Sequence, residues 1–278
     1  MLAAAAMLLQ ASLAATVFAP PLDTPIRITV ERVETSPKER RYRQERLVRF
    51  RPDGTGYRAE AVLVANASAA PEALSDLVER GLSALAGQTI VLHLDVNGQV
   101  TGIDDMTALW DRVCQHIADA AAARRGLTPG ESNALATRLV APLRALPPER
   151  QRALLATLVT AAIMTDPVDA PGSAVAVQLP GASPFGTPAT LQGIRRTEAV
   201  GILLHVSTTA TATVALPAEG NAPARAGSVT LDRVRVFDPR TGMLATATDT
   251  IRNVIATRET RLVTHTRVER APGNAWPK

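Results

Sequence analysis

The sequence predicts an α+β fold in which a strongly curved antiparallel sheet (half-barrel) of about eight strands packs on a helical block. Three observations carry this. Residues Ile26–Glu34 alternate, with Ile26, Ile28 and Val30 on one face and Arg27, Thr29 and Glu31 on the other. Residues Glu198–Arg270 form a long β-branched run in which Gly and Pro are nearly confined to turns. Between them, 104–165 carries apolar residues at helical spacing.

Ala19-Pro20-Pro21-Leu22-Asp23-Thr24-Pro25 is a stiff leader, part of an extended segment 16–25. The first strand follows, then a second over Arg41–Arg51 and a third over Tyr57–Ala65, joined by the turn Arg51-Pro52-Asp53-Gly54-Thr55-Gly56. Over Ser68–Gly87 the period changes: Leu74, Leu77, Val78, Leu82 and Leu85 recur as on a helix. Thr89–Asp95 and Gln99–Ile103 flank Val96-Asn97-Gly98, a strong hairpin signal. Asp104 or Asp105 can cap a helix whose stripe is Leu109, Val113, Ile117 and Ala120, with Trp110 and Cys114 alongside. Thr128-Pro129-Gly130-Glu131 opens a second helix to about Leu146, and Pro147-Pro148-Glu149 opens a third. Residues 166–188 hold five prolines and read as an irregular crossover, with the next sheet segment starting near Thr190. Strands Ala199–Leu216, Gly227–Phe237, Met243–Ile255 and Thr260–Arg270 complete the domain, 26–270, before a tail at 271–278. The turn Phe237–Met243 owes its shape to Asp238, Pro239 and Gly242.

Residues Leu2–Leu13 are apolar, and Ser12-Leu13-Ala14 offers the small residues a signal peptidase reads. The expectation is a signal peptide at 1–15 and a periplasmic or secreted mature protein. No other stretch could span a membrane as a helix. Cys114 is the sole cysteine, so the chain forms no internal disulfide. Aromatics make up 3%, which argues against a base-stacking platform and so against nucleic acid. The charge is +4, but the densest basic run, Lys38 to Arg46, is interrupted by Glu39 and Glu45 and reads as a solvated strand face.

The chemistry-bearing residues do not assemble into a motif. His93, His116, His205 and His265 fall outside metal-ligand spacing, so neither a metal nor a cofactor is expected. Gly130-Glu131-Ser132-Asn133-Ala134 lacks the final Gly of a nucleophile elbow and opens a helix. Asp95, Asn97, Asp104 and Asp105 could gather oxygen ligands, but a hairpin and a helix cap explain each of them. Glu198 and Asp232 pair only if the sheet aligns them, and no catalytic residue is assigned.

The turns Leu94-Asp95-Val96-Asn97-Gly98-Gln99-Val100 and Phe237-Asp238-Pro239-Arg240-Thr241-Gly242-Met243-Leu244, in this order of elements, resemble a set of uncharacterised exported bacterial proteins. The element order is also similar to the lipoprotein-carrier half-barrels of the bacterial envelope. That likeness implies a sheet sheltering acyl chains, and transfers no binding residue. The expected ligand surface is the sheet's concave face, lined by Ile202, Leu204, Val206, Val234, Val236 and Val254. The functional expectation is a non-enzymatic binding or carrier protein for an apolar or lipid-like ligand. The alternatives are a structural or protein-interaction module of the envelope with a filled core, and a hydrolase assembled from distant strands. The sequence leaves the oligomeric state open.

Overall fold

The computed structural model describes residues 18–36, 38–68, 81–125, 138, 140–216 and 225–277. The strands are β1 Ile26–Ser36, β2 Lys38–Asp53, β3 Gly56–Ser68, β4 Thr89–Leu94, β5 Val100–Ile103, β6 Ala174–Ala182, β7 Pro188–Val200, β8 Leu203–Leu216, β9 Arg225–Asp238, β10 Met243–Ile255 and β11 Arg258–Arg270. Helices α1, Met106–Arg125, and α2, Pro148–Thr160, lie between β5 and β6. The expected signal peptide, the body of the helix expected over Ser68–Gly87 and most of the one opening at Thr128 lie outside the described residues.

The expected α+β half-barrel of about eight strands on a helical block is corrected. All eleven strands join one open antiparallel sheet, ordered β5-β4-β3-β2-β1-β11-β10-β9-β8-β7-β6, and helix accounts for only 19% of the chain. Two strands account for much of the difference. Ala174–Ala182, read as part of an irregular crossover, is β6, an edge strand, where a proline such as Pro180 is tolerated. The single strand expected over Ala199–Leu216 is split at Gly201, whose φ of 61° makes a tight turn between β7 and β8.

Strand alternation gives the sheet two faces, and the helices cover part of one, termed the inner face. There Ile26, Ile28, Val48, Phe50, Ala59, Ala61, Ile90, Leu92 and Leu94 pack against Leu109, Trp110, Val113, Cys114 and Ile117 of α1 and Leu155, Leu158 and Val159 of α2. This core belongs to the β1–β5 half, where helix and strand stripes interdigitate. The described part of segment 16–25 is anchored to the sheet. Phe18 is buried edge-on to Phe50 and Tyr57, and Leu22 bridges Phe50.

Beyond α2 the chain returns along the inner face of the other half. Met164 N–H donates to Gly242 O at 2.9 Å, and Leu244 N–H to Ala162 O at 2.8 Å. Met164 then packs with Val206, Phe237, Leu244 and Ala247. The Gly172 amide donates to Thr197 O at 2.7 Å, so residues 162–173 run from β10 to β7 as a strap.

Candidate ligand trough

Residues directly opposite each other in adjacent strands share a face, so the register can be read as rows running across the sheet. One inner row is Arg195, Thr208, Arg233, Asp249, Thr264, Arg32 and Tyr42, from β7 to β2. The next is Gly193, Ala210, Leu231, Ile251, Leu262 and Glu34. The first row is polar, and the second is apolar up to its last member.

The polar row is held by the strap. Arg233 donates to Asp249 at 3.0 Å and to Asp166 at 3.1 Å, and Arg235 donates to Asp249 at 2.8 Å. Arg195 donates to Asp169 at 2.7 Å, with both side chains largely buried. Four of these groups, Arg233, Arg235, Asp166 and Asp249, balance in charge. That is the condition under which guanidinium groups can leave bulk water at tolerable cost.

Past this belt, Leu191, Ala210, Val229 and Leu231 form a small buried cluster, with Leu179, Ala212 and Ile251 packed against it. It is distinct from the helix-packed core. A cavity of about 410 Å³ opens over it, walled by Leu191, Val229, Leu231, Ile251 and Leu262, with Arg233, Asn253 and Thr260 along the sides. The β6–β7 hairpin closes one end. Pro180 to Ser183 line the cavity, while Pro184 and Phe185 lie against Gly227 of β9. Ser183 Oγ stiffens that tip by accepting the amides of Phe185 and Thr187, each at 3.2 Å, and meeting Thr187 Oγ1 at 2.7 Å. A concave aliphatic space with few polar groups at its margin has the general form of a small-molecule site.

The residues expected to line the ligand face do not form one surface. Leu204 and Val206 are on the inner face but lie under the strap with Phe237 and Met164, on the other side of the polar belt. Val234 and Val236 point outward, Val234 being 42% exposed, and Val254 shares their outer face. Ile202 is in the turn after Gly201 and is 67% exposed. The cause lies in β9, whose apolar alternation changes phase. Val229 and Leu231 face inward, then Arg233 and Arg235 take the inward positions and Val234 and Val236 turn out. The trough residues Leu191, Val229, Leu231, Ile251 and Leu262 were missed. The available signal was Ser228-Val229-Thr230-Leu231, a clean alternation just before the charged stretch.

The other residues singled out in the sequence stand elsewhere. Glu198 registers on His205 and Asp232 on Thr209, four residues along β8, so the two carboxylates do not pair. His93 sits on β4 between two carboxylates, Nδ1 at 2.7 Å from Asp53 and Nε2 at 3.0 Å from Asp104. Hydrogen bonds to Asp53 and then Asp104 raise its pKa above the ordinary histidine value. Of the two residues expected to cap the helix, Asp104 serves as a histidine partner, while Asp105 directly precedes α1 at a φ of 52° and its carbonyl accepts the Leu109 amide at 3.0 Å. His116 meets Ser83 and His265 meets Thr248. Among the described residues no group of three or more His, Cys, Asp or Glu is placed to hold a metal ion. No protein-family model matches the chain, and no curated protein matches it.

Proposed function

We propose that the protein is a non-enzymatic binding or carrier protein for an apolar or lipid-like ligand, exported to the periplasm or secreted, and that the trough over β7–β11 is its binding site. The observation that carries this reading is the second, separate apolar surface. A chain needing only a folded core has one in the helix-packed half, yet Leu191, Val229, Leu231 and Ile251 form another that opens into a cavity of about 410 Å³. That space lies within the range of small-ligand sites, roughly 300–1,000 Å³. Its walls are largely aliphatic, which suits an apolar ligand. Among the described residues no helix is long and apolar enough to cross a membrane, and the proposed ligand does not require one.

Native mass spectrometry on protein purified from its own periplasm tests this directly. A lipid adduct lost in Ile251→Glu, while Val234→Glu on the outer face retains it, is the expected result. Adduct-free wild-type protein that also fails to take up an added apolar dye would overturn the proposal and leave a structural module as the better reading.

A further inference from the structure

We infer that the trough selects a neutral amphiphile whose polar end donates a hydrogen bond, and that Asn253 is the residue that reads it. This rests on the trough being a ligand site. Asn253 lies on β10 at its margin, registered between Val229 of β9 and Thr260 of β11. Its side-chain oxygen Oδ1 is shut off from solvent and accepts no hydrogen bond. An amide oxygen buried without a donor is costly, and its neighbour on one side, Val229, can offer none. The terminal torsion of an asparagine is broad, so the amide of Asn253, which lines the cavity, can reorient toward a donor there at little cost. A hydroxyl or amide N–H on the ligand then supplies the missing donor, whereas a purely hydrocarbon ligand leaves the deficit in place.

The charges at the margin argue against an anionic head. The Arg233 guanidinium already donates to Asp166 and Asp249. The remaining ionisable groups on the wall are Glu34, which faces inward, and Arg261, which the register places on the outer face opposite Arg252 and Thr35, so a carboxylate entering there meets no surplus of positive charge. A neutral donor needs no such surplus.

The test is displacement of N-phenylnaphthylamine fluorescence by three probes of equal chain length: dodecanol, dodecyl methyl ether and laurate. The ether keeps the oxygen but carries a methyl in place of the hydroxyl hydrogen, so it lacks the donor, and its extra apolar carbon works against the expected preference. The expected result is that wild-type protein prefers dodecanol over the ether by about tenfold, with laurate no better than the ether, and that Asn253→Leu loses the preference while still binding the ether. Equal displacement by alcohol and ether, or laurate displacing best, would overturn this inference while leaving the trough as an apolar site. Preference persisting in Asn253→Leu would remove the role of Asn253. Dye that none of the probes displaces, or that does not bind, would overturn the trough reading itself. The wild-type series alone decides the matter should the variant not fold.

Discussion

At the scale of single residues, two side chains have properties that solution measurements can check. His93 is clamped at both ring nitrogens by Asp53 and Asp104, which holds its pKa above the ordinary 6.5. A group whose pKa is higher folded than unfolded stabilises the fold fully below the unfolded value, and that contribution fades as pH rises through the folded one. The stability difference between wild type and His93→Gln, from urea unfolding, should therefore be larger near about pH 5.5 than near about pH 9. A constant difference would mean that the clamp carries no charge. Cys114 is the reverse case: fully buried in α1, with desolvation pushing its thiol pKa up. The native protein should resist alkylation by iodoacetamide and react only when unfolded, as mass spectrometry would show. Gly98 combines a φ of 80° with a close approach, since a Cβ there would lie 2.9 Å from the Phe18 ring. Gly98→Ala should destabilise by about 1–2 kcal/mol in urea unfolding, from backbone strain plus displacement of that ring.

At the scale of elements, β9 and β10 matter most, because they carry both the trough wall and the charge belt. Asp249, like Asp166, bridges Arg233 and Arg235, with about a quarter of its surface still exposed. Asp249→Ala should cost on the order of 2 kcal/mol, between the values for exposed and fully buried pairs, with Asp166 left as the partner of both arginines. Phe237, completely buried under the strap, should cost about 3–5 kcal/mol when truncated to Ala. Both read out as shifts of the urea midpoint. These elements also show how much a sequence can disclose. The turns at Asp95–Gly98 and Asp238–Gly242 were legible because their residues encode local geometry: Asp95 Oδ1 accepts the amides of Asn97 and Gln99, and Asp238 Oδ1 that of Arg240. The strand positions from β8 to β11 were legible in outline as well. The facing of β9 was not, because Arg233 and Arg235 occupy inward positions stabilised by Asp166 and Asp249, which are distant in sequence. The strand β6 was hidden by Pro180 and Gly181, which a sheet edge accepts and a central strand does not. The trough was illegible for the same reason, since it exists only once the cross-strand register of β7 to β11 is known.

At the scale of the whole molecule, the strand order has a plain logic. β1 to β5 step outward in one direction, the helices carry the chain back, and β6 to β11 step inward until the last strand meets the first. The seam between β1 and β11 pairs Ile26 with Arg270, and Ala271 N–H donates to Pro25 O at 2.9 Å. Contacts between such distant parts of a chain are the slow ones to form, so variants in the seam, such as Val268→Ala, should slow refolding more than equally destabilising variants within the β2–β3 hairpin. Stopped-flow refolding would separate the two.

That meeting of first and last strands means the backbone is nearly a ring cut at one point. A short linker from the end of β11 to the start of β1, with new termini opened in the tight turn at Pro171-Gly172, would yield a circular permutant that keeps every strand beside its present neighbours. Its two lobes, one bearing the helices and the other most of the trough, would follow each other along the chain in the reverse of their native order. They could be made as separate fragments and mixed, and recovery of dye binding only on mixing would show that the pocket lobe depends on the seam for its shape.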